Sequence, residues 1–244
     1  MKIILVLGLM AVLLLSAACV NTSLTPDATI SSGAGKATIT DGFGRVVTIP
    51  SPPSNVICSG SGCLRYLVYL QAQDLVVGVD SIEKDDQVIE GRPYALVYGQ
   101  QFKPLPLIGE FRGKDDAEKI VGIGPDLIFK TGSTGTAYAT SADDADKLQS
   151  KTGIPVVAFP YGSLRNQVEK NEFYAGLRVM GTALGKQERA EAVIAYIDAT
   201  MDDLERRTGD IPEDQQLAAY IGGVSSAGAH GIISTEPAYP PFQW

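Results

Sequence analysis

Between Ile39 and Asp80 the chain passes from strand-like alternation to proline, then to a short apolar run, a turn of small residues and a helical pattern. Ala37-Thr38-Ile39-Thr40-Asp41 and Arg45-Val46-Val47-Thr48-Ile49-Pro50 alternate apolar and polar residues about Asp41-Gly42-Phe43-Gly44, which reads as a hairpin with a glycine-bearing turn. Pro50, Pro52 and Pro53 end the pairing, because proline has no N–H to give to a ladder. Asn55-Val56-Ile57-Cys58 is a short apolar run that stops at Ser59-Gly60-Ser61-Gly62. Leu64, Leu67, Val68 and Leu70 follow at helical spacing, and Leu75-Val76-Val77-Gly78-Val79-Asp80 reads as another buried strand. A strand, a small-residue turn and a helix start leave N–H groups facing whatever lies above the turn. Ser59 and Ser61 are therefore candidate ligand contacts, with plain turn chemistry as the alternative.

The same rhythm continues. Asp85 to Lys103 is a polar connection holding a short helix around Arg92-Pro93-Tyr94, and Leu105 to Gly109 leads into Glu110-Phe111-Arg112-Gly113. Asp115 to Val121 is a helix whose acidic first turn suits its dipole. Gly124-Pro125-Asp126 turns into the strand Leu127-Ile128-Phe129, Asp143 to Thr152 is a helix, and Ile154 to Phe159 is a strand. Strands alternating with helices predict an α/β lobe with a mainly parallel sheet and helices on both faces. Ligands of such sheets sit beyond the carboxyl ends of the strands, here Ser59–Gly62, Glu110–Gly113, Thr131–Thr136 and Pro160–Ser163.

From Asn171 the period changes. Phe173, Leu177, Met180 and Leu184 mark an amphipathic helix ending near Gly185, and a second helix from Gln187 to about Thr208 carries Ala190, Val193, Ile194, Ile197, Met201 and Leu204 on one face. It would be about 33 Å long at 1.5 Å per residue. Gln216 to Gly223 then reads as a strand. The remainder to Trp244 is too short for another α/β lobe, which needs about 100 residues.

At the amino end Lys2 precedes an apolar run from Ile3 to Leu15, the length of a signal-peptide core and short for a bilayer span. Ser16-Ala17-Ala18-Cys19 looks like a lipoprotein processing site, although Ser16 stands where an aliphatic residue is usual. Lipidation of Cys19, plain cleavage and a retained anchor are the alternatives. Val20 to Lys36 is rich in small polar residues without periodicity and reads as a tether. Net charge is −8 without a Lys/Arg cluster, which argues against nucleic-acid binding. Of the three cysteines, Cys58 and Cys63 flank the Ser/Gly turn. In an exported protein they could pair, but a strand-to-helix corner often points the Cβ atoms apart. Two ordinary buried cysteines and a ligand role are the other readings.

Thr40-Asp41-Gly42-Phe43-Gly44-Arg45-Val46-Val47-Thr48-Ile49-Pro50, the Ser-rich turn and Val76-Val77-Gly78-Val79 resemble the opening of the substrate-binding proteins of ABC importers, in the branch that takes up iron-siderophores, haem and cobalamin. Ile108-Gly109, Glu118-Lys119-Ile120 and Gly124-Pro125-Asp126-Leu127-Ile128 are similar to a further motif of that family. The resemblance implies a lobe at residues 38–168, a helical pair at 169–210 containing a rigid interlobe helix, and an incomplete second α/β lobe at 211–244. These follow a signal peptide at 1–18 and a tether at 19–37. It also implies an exported protein anchored through Cys19 to the outer face of the cell membrane, with a permease and its ATPase as partners. The ligand would be a ferric chelate, haem or cobalamin, and there would be no catalytic residue, resident cofactor or metal site. Glu118 inherits the permease-docking role by position, against a solvated glutamate in a helix's first turn. The expected cleft would be half missing, so the chain as written is expected to bind weakly or not at all.

Location and chemistry, rather than any motif, select the remaining candidates. Arg92 and Arg112 could pair with carboxylates or phosphates. Tyr138 and Tyr161 offer flat apolar faces with a polar tip, and His230 follows the expected second-lobe strand. Surface charge and packing are the alternatives. Ser59-Gly60-Ser61-Gly62 lacks the first glycine of a nucleophile elbow, one histidine must serve any catalytic triad, and Walker A, G-x-G-x-x-G and C-x-x-C motifs are absent. A hydrolase is thereby disfavoured, and a lipid-anchored single-lobe sensor, adhesin or non-functional relic is the non-transport alternative.

Overall fold

The computed structural model describes residues 31–33, 35–60, 62–85, 91–111, 114–132, 139–223, 231–233, 235–236 and 239–242. The expected signal peptide, Cys19 and most of the expected tether lie outside them. The chain enters as a three-stranded antiparallel sheet of β1 (Ser31–Gly33), β2 (Lys36–Thr40) and β3 (Val46–Pro50). The β2–β3 register ends at Thr40 opposite Val46, so the expected hairpin forms with Asp41 to Arg45 as its turn. β1 corrects the tether reading: Ser31 to Gly33 pairs with β2. Ladder pairing uses backbone groups, so it needs no apolar pattern for a sequence reading to detect.

The turn explains the Asp-Gly-Phe-Gly-Arg sequence. The buried Asp41 carboxylate accepts from the N–H groups of Phe43 and Arg45, from Arg45 Nη1 at 2.8 Å and from the Ala158 N–H at 3.1 Å. Gly42 N–H donates to the Ala158 carbonyl, and a Cβ at Gly42 would lie 2.6 Å from that of Phe159. The hairpin is thus bolted to the edge of the second sheet, covering backbone groups an edge strand would otherwise expose.

That second sheet contains β4 (Val56–Ser59), β5 (Val76–Gly78), β8 (Leu127–Gly132) and β9 (Val156–Pro160). It is parallel throughout, in the order β5-β4-β8-β9. Helix α1 (Cys63–Tyr69) links β4 to β5. Between β5 and β8 come α2 (Pro93–Phe102), the small hairpin of β6 (Gly109–Glu110) and β7 (Lys114–Asp115), and α3 (Ala117–Ile123). Helix α4 (Ala142–Thr152) links β8 to β9, capped reciprocally by Ser141 and Asp144.

Side chains alternate across the sheet with the period of two a strand imposes. Val56, Cys58, Leu127, Phe129, Val157 and Phe159 join one core with α1 and the helices that follow β9, whereas Ile57, Ile128, Val156 and Ala158 join another with Ile120 of α3 and Leu148 of α4. Both faces are covered, as the continuous apolar strands predicted.

Helix α5 (Gln167–Leu184) starts earlier than the apolar period suggested, because Asn166 accepts from the Glu169 N–H and sets the first turn. After the left-handed Gly185, α6 (Gln187–Thr208) packs back along α5, tied by Arg178–Glu191 and by Asp198 to both Lys170 and Tyr174. Past Met201 no residue of α6 is buried, so its last turns leave the lobe. The strand expected at Gln216 to Gly223 is absent: these residues join no sheet and Leu217 is 93 % exposed. Among the described residues no strand follows β9 to pair with them, and an unpaired strand has no ladder to hold it.

Candidate ligand-binding site

The strand order places a topological switch point between β4 and β8, since the chain leaves β4 toward β5 and later returns on β4's other side. Open α/β sheets hold ligands outside the carboxyl ends of the strands at such a point. The last register pair there is Ser59 opposite Lys130, which share the α3–α4 face. Ser59 is 1 % exposed and Lys130 4 %. Asp115, at the end of β7, joins them: one carboxylate oxygen accepts from Ser59 Oγ and the other from Lys130 Nζ at 2.5 Å. A lysine in a strand interior is tolerated because this carboxylate neutralises it.

On the opposite face the turn lies flat because two residues lack side chains. Gly60, at φ +102°, sits where a Cβ would be 1.8 Å from the Thr131 carbonyl oxygen, and a Cβ at Gly62 would meet the Tyr161 ring at 2.9 Å. Cys58 and Cys63 bridge the turn in a disulfide, their Cα atoms 5.4 Å apart. The positive-φ glycines draw the corner tight enough to bring both cysteines together. Arg65, one turn into α1, stacks its guanidinium on Tyr161 and donates from Nη2 to the Gly162 carbonyl. Burial works against its charge and the phenols of Tyr66 and Tyr161 work for it, with the balance above the ordinary arginine value.

At the carboxyl end of β5 a second buried group gathers. Glu83 accepts from Arg92 Nη1 at 2.8 Å and from the Tyr94 hydroxyl at 2.7 Å. Asp80 accepts from the Ile82 N–H. Burial, and next the Glu83 charge, push its carboxyl up to about 7. Burial likewise pushes the Tyr94 phenol upward.

Of the residues selected from sequence, Ser59 and Tyr161 stand at the strand ends, on opposite faces of the sheet. Arg92 is the residue before Pro93 of α2 and is turned inward onto Glu83. Glu118 is exposed in the first turn of α3, behind the N-cap Asp116. Ser61, Arg112, Tyr138 and His230 lie outside the described residues. Sequence reading missed Arg65, Lys130 and Asp80, and took Asp115 as part of the acidic first turn of a helix, whereas Asp115 ends β7. Lys130 alone left a trace, as the charge that closes the apolar run Leu127-Ile128-Phe129. A shallow depression of about 530 Å³ between β3 and the end of α4, lined by Val46, Gln149 and Pro155 among others, lies at the amino end of β9, away from these groups. Among the described residues no cluster of His, Cys, Asp and Glu could hold a metal ion, and no helix is long and apolar enough to cross a membrane.

The sequence model of the periplasmic binding protein family matches residues 56–236. YvrC of Bacillus subtilis strain 168, an uncharacterised ABC transporter substrate-binding lipoprotein, is 23 % identical over 184 residues, 75 % of this chain and 51 % of YvrC. The chain thus spans about half the length of that relative. Molybdate-bound MolA of Haemophilus influenzae superposes with a TM-score of 0.60 at 22 % identity, over 76 % of this chain and 57 % of MolA. Staphylococcus aureus SirA in complex with staphyloferrin B gives 0.52 at 18 % identity, over 72 % of this chain and 52 % of SirA. The petrobactin-binding protein YclQ of Bacillus subtilis gives 0.52 at 18 %, over 71 % and 54 %. At such identities these structures establish a shared fold.

Proposed function

The chain belongs to the periplasmic binding protein family, and we propose that it is a ligand-binding lobe of an ABC importer's substrate-binding protein, one that carries a metal chelate to a membrane permease and its ATPase. The observation that carries this reading is the switch point itself. The ends of β4 and β8 meet there beneath a glycine turn, with Ser59, Lys130 and Tyr161 around it. Ser59 and Lys130 are both held by Asp115 rather than aimed at a reacting atom, which suits non-covalent capture. A ferric siderophore is the preferred cargo, with haem and cobalamin behind it; that SirA is complexed with staphyloferrin B and YclQ is petrobactin-binding supports the order.

In this reading the protein is exported and held at the outer face of the membrane through Cys19, and Glu118, exposed on α3, meets the permease. YvrC's description as a lipoprotein supports the anchor. Equilibrium dialysis of the purified chain against ferric siderophores, haem and cobalamin tests the proposal. One lobe covers one side of a ligand, so retention of a ferric siderophore that saturates at one equivalent with micromolar or weaker affinity is expected. Retention of none of the three would sink it.

A further inference from the structure

Arg65 is a cation with no carboxylate partner among the described residues, its charge being met chiefly by the phenols of Tyr66 and Tyr161. Its guanidinium carbon lies 4.8 Å from the ring centroid of Tyr161, 4.9 Å from that of Phe173 and 5.1 Å from that of Tyr66. Nη2 donates to the Gly162 carbonyl at 2.5 Å. Nε is buried with no hydrogen-bond partner. Arg45, Arg92, Arg165 and Arg178 each hold a carboxylate within 2.8 Å, whereas among the described residues none is paired with Arg65. Aromatic faces recover only part of the hydration a guanidinium gives up, and a buried charge ordinarily has a counterion.

A second unmet group lies under the same turn. Thr131 Oγ1 is buried without a partner, on the α1–α5 face of β8 and one residue past Lys130. Gly60 rests against the Thr131 carbonyl and Gly62 against Tyr161. The turn therefore covers two polar groups without a partner among the described residues, at the carboxyl end of the sheet, beside the Tyr161 ring. Lys130 is not the cation that remains, because Asp115 already holds it.

We propose that Arg65, together with Tyr161, seats an anionic group of the carried ligand, a carboxylate or an oxyanion, so that the lobe selects anionic over neutral chelates. This rests on the binding-protein reading and names the ligand class for its site. The guanidinium is held in place by three rings, so its unused N–H groups are pre-oriented for a planar acceptor. A lysine at this position would keep the charge but lose the stacked, forked geometry.

The ¹⁵N–¹H signal of the Arg65 Nε–Hε group, identified by its loss in Arg65→Lys, provides the readout on the unaltered chain. Molybdate and ferric citrate are the anionic probes, and a neutral ferric trihydroxamate is the control. The signal should shift saturably with both anions, and Arg65→Lys should weaken ferric citrate binding by about tenfold while leaving the trihydroxamate unaffected. An Arg65 signal that no anion moves overturns the proposal. A trihydroxamate held tightly and equally by both proteins, with ferric citrate bound no better, also overturns it but leaves the binding-protein reading standing. Molybdate moving Arg65 while neither chelate binds would uphold the anion seat and count against chelate carriage. Should Arg65→Lys fail to fold, the Nε–Hε signal is assigned by through-bond correlation to the Arg65 backbone and the titration of the unaltered chain decides.

Discussion

Replacing Asp80 by asparagine should make the protein more stable at neutral pH and leave it nearly unchanged in acid. Asp80 is 8 % exposed, with the Ile82 N–H as its described donor and Glu83 beside it. The positive charge of Arg92 helps, but Arg92 is bonded to Glu83, and Asp115 adds a further negative charge nearby. The Asp80 carboxyl is pushed from 3.8 to about 7, so the folded protein holds a proton that the unfolded chain has released. Stability from this group is complete below about pH 4 and is lost as pH rises toward 7. At about 1.4 kcal/mol per pH unit the full difference is roughly 4 kcal/mol, and an order of 2 to 4 kcal/mol is the expected effect. Asparagine keeps an oxygen for the Ile82 N–H and has no charge to desolvate. Urea unfolding of both proteins from pH 4 to 8 should give curves that coincide near pH 4 and diverge upward for Asp80→Asn. Parallel curves, or a variant less stable at pH 8, would refute the reasoning, because the other carboxylates cancel in the difference.

Asp41→Ala should cost about 1 to 3 kcal/mol in urea unfolding, because it leaves the Phe43, Arg45 and Ala158 N–H groups without their carboxylate acceptor, while Arg45 keeps Asp146 and the Val156 carbonyl. Asp115→Ala should destabilise the fold by more than Ser59→Ala, since it removes the carboxylate that both Ser59 Oγ and the buried Lys130 ammonium hold, whereas Ser59→Ala should cost only about 1 kcal/mol. Gly60→Ala should destabilise the fold and lower retention of a ferric siderophore in dialysis, since the new methyl would meet the Thr131 backbone. Glu118→Ala should leave stability within about 0.5 kcal/mol while reducing chelate uptake in a reconstituted importer.

The elements that announced themselves in the sequence are those whose burial is periodic. Strands β4, β8 and β9 were continuous apolar runs, and Leu177, Met180 and Ile194 marked α5 and α6, so the lobe and its helical pair were legible. The strand β1 was not, because backbone pairing leaves no side-chain pattern. The reading of Gln216 to Gly223 failed for the converse reason: a strand-like composition forms no strand without a neighbour. For the site, position was readable and partnership was not. Ser59 and Tyr161 lie at strand ends as the α/β rhythm implied. Arg92 looked like a free cation because Glu83, nine residues away, had no visible relation to it. Arg65 sat unremarked in a helix, since its significance comes from rings contributed by Tyr161 and Phe173, far along the chain. The disulfide depended on left-handed glycines whose geometry only the folded turn displays.

The central claim, that the carboxyl ends of β4, β8 and β9 form the ligand site, is tested most directly by mapping backbone amide shifts while a ferric siderophore, substituted with gallium to avoid paramagnetism, is added to the chain. The account predicts saturable changes at Ser59, Gly60, Gly62, Lys130 and Tyr161, with little at the depression between β3 and α4. Changes confined to that depression, or no saturable change at the strand ends, would contradict it.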